Sequence, residues 1–261
     1  MGQKGFEFPE FRIDIEELRE LAKKTLILEG WPLPVLLALY SERPGDWREI
    51  HPSELGRCLR QRVLSWGLDF YSRPDRSWAP FLGRGVHELA AKAAQSLFPE
   101  GEALIEVRLS WPLELEGERL VLSGQIDLYH RPSRTLLDYK TTGSLNPKRP
   151  LPWEYELQQN LYAQLLRWHG ESPEKIWLWF VETKTRKPKS GPFRVAQTLL
   201  SVPLWPEEAV LGVLEEIGRV LVLGHRDGIL PPPFREEDEG YWQCRFCPVS
   251  ERCRELEREG R

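Results

Sequence analysis

Strict alternation in the middle of the chain limits its fold more than any other feature. Ala103, Ile105, Val107 and Leu109 occupy every second position, as do Leu120, Leu122, Gly124, Ile126 and Leu128, with Glu-Gly-Glu at 116–118 between the runs. A period of two belongs to half-buried strands, and a short polar turn joins such strands antiparallel. The turn His130-Arg-Pro-Ser leads into a further strand from Thr135 to Lys140. Beyond it the period lengthens, and Leu157, Leu161 and Leu165 share one helical face between Pro152 and Trp168. Lys175 to Glu182 reads as another strand and Pro206 to Leu223 as another helix. Upstream, Ser53 is a candidate N-cap for a helix carrying Leu55, Leu59 and Val63, and a second helix spans Phe81 to Leu97. Ile13, Ile15, Leu18, Leu21 and Leu26 recur with near-helical spacing, so residues 1–45 read as a helical arm. This order of elements predicts an α/β fold, a central mixed sheet with helices on both faces.

The chain of 261 residues, 41% hydrophobic and 29% charged, is long enough for a full core and is neither fibrous nor disordered in composition. The most apolar stretch, Trp31 to Tyr40, is too short to span a membrane and holds two prolines, and the N-terminus lacks a basic-then-apolar signal pattern. A cytoplasmic protein is expected. The net charge of -4 excludes a surface coated in cations but leaves room for a local basic groove.

The strands also carry charge. Alternation sends Asp127 to the face opposite Ile126 and Leu128, while Asp138 and Lys140, two apart, share a face. If the strands are neighbours, two carboxylates and an ammonium converge at one sheet edge. Two carboxylates repel, and their oxygens suit a hard ion such as magnesium or manganese, which offsets that cost. Taken alone, Asp-x-Lys is as consistent with a solvated surface ion pair, which is worth little. Leu136 and Leu137 before Asp138 argue instead for a central strand.

The chain has four cysteines, at 58, 244, 247 and 253. Three crowd into Cys244-x-x-Cys247 and Cys253, and four thiols fit one tetrahedral site. In a cytoplasmic chain this points to metal before disulfide, with zinc and a [4Fe-4S] cluster both open. Such a site would clasp the core between residue 58 and the tail.

Gly-Gln-Ile-Asp127 followed by Leu-Leu-Asp138-Tyr-Lys140-Thr-Thr resembles two motifs of the PD-(D/E)xK nuclease superfamily, RecB branch. Gly83-x-x-x-His87 before them and Gln158-x-x-x-Tyr162 after them resemble two more, in the same order. The resemblance implies a restriction-endonuclease-like core. His87, Asp127, Asp138 and the backbone carbonyl of Tyr139 would hold Mg2+ or Mn2+, Lys140 would serve the attacking water, and Gln158 with Tyr162 would position substrate or catalytic groups. Gln159 competes with Gln158 for that role. One cysteine before the core and three after it is similar to the iron-sulfur RecB-type nucleases, among them the CRISPR-associated exonuclease family of the Cas-four type. That likeness implies a [4Fe-4S] cluster on Cys58, Cys244, Cys247 and Cys253, and a single nuclease domain over 1–261: arm 1–45, core 50–230 and clasp 231–261. It implies 5′ to 3′ trimming of single-stranded DNA ends, with CRISPR integrase proteins as partners.

Arg57, Arg60, Arg73, Arg76 and Arg84, interleaved with Trp66, Phe70, Tyr71, Trp78 and Phe81, suit phosphates and stacked bases of single-stranded DNA. Lys184, Arg186, Lys187 and Lys189 form a second basic run. Two other classes fit some of these features, a non-catalytic DNA-binding module and a zinc-containing restriction-type endonuclease. The complete Asp127, Asp138, Lys140 set counts against the first.

Overall fold

A computed structural model describes residues 3–40, 46–66, 70–143, 150–183 and 196–260. Its strands are β1 (Gln3–Glu7), β2 (Arg12–Asp14), β3 (Ile27–Leu28), β4 (Trp31–Pro32), β5 (Glu49–Ile50), β6 (Phe70–Ser72), β7 (Ala103–Leu115), β8 (Glu118–His130), β9 (Thr135–Thr142), β10 (Lys175–Glu182) and β11 (Gln197–Val202). Its helices are α1 (Ile15–Leu21), α2 (Leu33–Leu39), α3 (Pro52–Leu55), α4 (Leu59–Trp66), α5 (Trp78–Leu97), α6 (Trp153–Trp168), α7 (Glu207–Arg226) and α8 (Ser250–Arg258). Contacts divide the chain into one unit of residues 48–56 and 82–219 and another of 1–47, 57–81 and 220–261.

The first unit is built on the alternating runs. β7 and β8 pair antiparallel from Ala103 opposite His130 to Leu115 opposite Glu118. The turn between them places Glu116 and Gly117 at φ 51° and 75°, the left-handed pair that matches strand twist in a tight hairpin. β8 then pairs with β9 only from Leu128 opposite Leu137 to His130 opposite Thr135, while its first half takes β5 alongside at Val121 and Leu122. β9 runs parallel to β10 along its whole length, and β11 closes that side antiparallel. The result is a six-stranded mixed sheet in the order β11-β10-β9-β8, with β5 and β7 both on β8.

α6 is the best-buried helix of this unit, with every residue from Leu157 to Leu166 buried. Leu157, Leu161 and Leu165 are fully shielded, each removing enough apolar surface to contribute about 1.5–3 kcal/mol. Its polar members find partners: Asn160 Nδ2 donates to Pro203 O at 3.1 Å, and Gln164 Nε2 donates to Glu207 Oε1 at 2.8 Å. Two glycines set how closely this helix is approached. A Cβ at Gly56, after α3, would lie 2.5 Å from Glu154 Cα, and one at Gly124 on β8 would lie 2.6 Å from the Tyr162 ring.

The second unit contains the segment read as a helical arm. Helices α1 and α2 occur there, but β1 and β2 precede them as a hairpin, and β1 also pairs parallel with β6. Gly5 is the reason β1 can lie so close to β2, because a Cβ there would meet Ile13 O at 2.0 Å. Phe6, Leu18, Leu33 and Leu36 are fully or almost fully shielded and make a core of their own with Ile13, Ile15 and Leu39.

Three further boundaries differ from the sequence reading. His51, not Ser53, is the N-cap, and the expected helix is broken into α3 and α4. α5 begins at Trp78, and its buried residues are Ala91 and Ala94, whereas Leu89 is 71% exposed and Ala93 is exposed. β11 had no sequence signal strong enough to mark it. Among the described residues, no helix is long and apolar enough to cross a membrane.

Candidate active site and cysteine cavity

The fork in β8 makes the first polar centre. The β8 and β9 ladder stops at Leu128 and Leu137, so the next residues, Asp127 and Asp138, stand where the two strands part. Asp127 takes over the lost rung: its Oδ2 accepts from the Tyr139 amide at 2.8 Å. Its Oδ1 lies 3.1 Å from His87 Nδ1 on α5. His87 shares its helical face with Ala91 and Ala94, four and seven positions on, and its ring meets Tyr139 edge-on.

Lys140 Nζ pairs with Asp138 Oδ2 at 2.6 Å; Asp138 is nearly shielded from water and Lys140 is partly buried. That oxygen is buried without a well-directed hydrogen bond. Burial pushes the Asp138 carboxyl up, against the pull of Lys140, and the nearby Asp127 adds to the rise. Burial alone would lower the Lys140 ammonium, but Asp138, Tyr162 and Asp127 together outweigh it and the net direction is up. The two glutamine candidates divide between partners. Gln158 Nε2 donates to Tyr162 Oη at 3.0 Å, while the fully buried Gln159 approaches Asp138 with both amide atoms lacking a well-directed bond. Tyr162 is pushed up to about 12, chiefly by burial, and so is a neutral donor at ordinary pH.

One residue of this centre escaped the sequence reading. Glu106 on β7 is the register partner of Asp127 across the hairpin, and this is the one rung missing between Ile105 opposite Leu128 and Val107 opposite Ile126. Its φ of 52° is left-handed in mid-strand, a conformation that costs a non-glycine residue about 1–3 kcal/mol. Glu106 Oε1 is buried without a hydrogen bond and lies 3.8 Å from His87 Nδ1. His87, Glu106 and Asp127 each offer an atom within 4.8 Å of the others, a spacing that admits a cation. Burial, then Asp127, pushes the Glu106 carboxyl up, and the Asp127 hydrogen bond raises His87. Two carboxylates beside one imidazole nitrogen make a donor set that fits a divalent metal. Counting across the hairpin from its turn at Glu116 and Gly117 would have placed Glu106 opposite Asp127.

The second centre lies in the other unit. Cys58, Cys244, Cys247 and Cys253 are free thiols lining a cavity of about 200 Å³, with Phe234, Tyr241 and Gln243 among its walls. Cys58 precedes α4, Cys244 lies on a 3-10 turn over Glu239–Phe246, and Cys253 is on α8. The Cys58 amide donates to Gln243 Oε1 at 3.4 Å, joining the first cysteine to the segment of the other three. Burial raises the Cys247 thiol to about 11 and the Cys244 thiol in the same direction, each helped by the neighbouring sulfurs. Four thiols around one cavity fit a metal group, which must draw off their protons on binding.

The basic residues are less uniform than the sequence reading expected. Arg57 and Arg84 are exposed, and exposed Arg73 pairs with Asp75 at 3.0 Å. Arg60 is a correction: only 2% exposed, it donates to Pro231 O at 3.0 Å and braces the loop before the cysteine trio. The Arg76 side chain and the run from Lys184 to Lys189 lie outside the described residues.

The family model described as PD-(D/E)XK nuclease superfamily matches residues 37–254. The crystal structure of SSO0001 is similar in fold, with a TM-score of 0.52 and 17% identity over 83% of this chain and 92% of that one. A phage related exonuclease from Haemophilus somnus aligns with a TM-score of 0.39 and 12% identity, over 66% of this chain and 91% of that one. No curated protein gives a significant match.

Proposed function

Because the chain belongs to the PD-(D/E)XK nuclease superfamily, we propose that it is a divalent-metal-dependent DNA exonuclease that carries a [4Fe-4S] cluster. The observation that carries this reading is the Asp127, Asp138, Lys140 set at the β8 fork, with Lys140 Nζ 2.6 Å from Asp138. His87, Glu106 and Asp127 would hold Mg2+ or Mn2+, joined by Asp138 and the Tyr139 carbonyl as the motif resemblance implies. A bound ion polarises a phosphoryl oxygen and lowers the pKa of its water. Lys140, kept charged by its neighbours, would orient the attacking water and steady the charge growing on the phosphate. Tyr162, a neutral donor fixed by Gln158, positions a phosphate oxygen on the same side.

Four thiols around one cavity fit either zinc or a cluster as ligands, and the cluster is preferred because one cysteine before the core and three after it resembles the iron-sulfur RecB-type nucleases. Single-stranded DNA ends, 5′ to 3′ polarity and a role in CRISPR spacer acquisition with integrase partners rest on the resemblance of the motifs and the cysteine pattern.

The test is degradation of end-labelled single-stranded DNA with manganese or magnesium, each end blocked in turn, by anaerobically prepared wild type and Lys140→Ala. Loss of cleavage in a folded, brown variant supports the nuclease, and the blocked ends report polarity. A brown wild type that binds DNA without cutting it overturns the reading in favour of a binding module.

A further inference from the structure

Glu106 poses a physical question that its neighbours answer. A left-handed glutamate in the middle of a thirteen-residue strand is strained, and the strain persists only if something outside its own backbone holds it. The one hydrogen bond described for its side chain comes from Gln125 on β8, whose Nε2 donates to Glu106 Oε2 at 2.5 Å. Gln125 is opposite Arg108 in the ladder, so it reaches diagonally along the strand to Glu106. With Oε2 occupied, the other oxygen, Oε1, is the one left buried and without a hydrogen bond, 3.8 Å from His87. A carboxylate free to rotate would offer either oxygen, or both, to a cation. This one is fixed to offer one.

We propose that Gln125 is a positioning residue for the metal centre: it clamps Glu106 so that Oε1 alone is presented beside His87 and Asp127 as a single-oxygen ligand. The inference rests on the metal-dependent reading above and deepens it. Gln125 itself is exposed and needs no contact with metal or DNA. Its effect passes through Glu106, as that of residues bonded to metal ligands commonly does.

The test is Mn2+ binding to the full chain, read by loss of the free-ion electron paramagnetic resonance signal, for wild type, Gln125→Ala and Asp127→Asn. Gln125→Ala should weaken Mn2+ binding about 10-fold or more. Its apparent activation constant for Mn2+ should rise in step, while turnover at saturating Mn2+ returns to the wild-type value. A purely structural role would not restore turnover in that way. Glu106→Gln should bind as weakly as Gln125→Ala or more so, and the double variant should be no worse than Glu106→Gln, since the Gln125 change acts only through the Glu106 carboxylate. If Gln125→Ala binds Mn2+ like wild type while Asp127→Asn does not, the clamp is wrong and the metal centre stands. If Asp127→Asn also binds like wild type, the metal centre and the clamp both fall.

Discussion

The two polar centres are made by opposite means. The carboxylate centre draws on strands and helices whose registers are fixed by apolar packing, and that packing sets where Asp127, Asp138 and Lys140 stand. The cysteine centre draws on one thiol ahead of α4 and three from a 3-10 turn and a terminal helix, elements with few large buried side chains. Val249 and Leu256 are the buried apolar residues of that tail segment. In one region packing builds a site that can take a metal; in the other the proposed metal group would supply the order that packing does not.

The widest separation between the two should come from Lys140→Ala. Loss of a charge that stabilises the transition state costs about 10²–10³-fold in turnover, yet the brown colour and melting temperature should stay near wild type. Bleaching of this variant would erase the contrast. Cys247→Ser tests the other side. Loss of the cluster should lower the melting temperature by about 10 °C, taking several kcal/mol at the few degrees per kcal/mol typical of this size. Amide exchange should show the loss in α4 and α8, with the β8 and β9 strands protected as before; equal loss in both regions would make the chain one cooperative block.

Gly124→Ala probes how far packing sets the chemistry. The added Cβ meets the Tyr162 ring at 2.6 Å, so the variant should lose about 1–3 kcal/mol of stability and part of its turnover with unchanged colour. Full activity at wild-type stability would show that the ring moves freely. The smallest effect belongs to His225, stacked on Trp47 at 4.9 Å with its Nε2 buried and unbonded. Burial, then Arg62, lowers it to about 4 from an ordinary 6.5. The unfolded chain therefore binds the extra proton in that window, so stability is full above pH 6.5 and falls toward pH 4. Melting curves across this range should slope less for His225→Phe than for wild type, and parallel slopes would assign the dependence to other groups.

Much of the carboxylate centre was legible because strand alternation is local. The turns at 116–118 and 130–134 fix which strands are neighbours, and the Asp127 and Asp138 pairing follows from them. Glu106 was hidden in plain view, since a lone glutamate between Ile105 and Val107 looks like the solvent side of an ordinary strand. α5 misled for a different reason. Its alanines lie on both faces, so the sequence suggests Val86, Leu89, Ala90 and Ala93 as the inward set, whereas the buried residues are Ala91 and Ala94. The N-terminal strands were unreadable because β1 pairs with β6, far along the chain, as well as with the short β2, and because the close approach at Gly5 is announced by no periodicity. β11 is a half-exposed edge strand whose pattern resembles a loop.

The bond from the Tyr139 amide to Asp127 has a practical edge for anyone wanting a catalytically silent form of this protein. Asp127 closes a gap in the backbone ladder as well as belonging to the group that could hold a cation. Truncating it to alanine would leave an amide stranded between two parting strands, and a dead preparation could then be a misfolded one. Asparagine keeps an oxygen for that amide, and Lys140 has no such backbone duty described. An inert version meant for trapping DNA is therefore safer made at Lys140 than at the aspartate a chemist would reach for first.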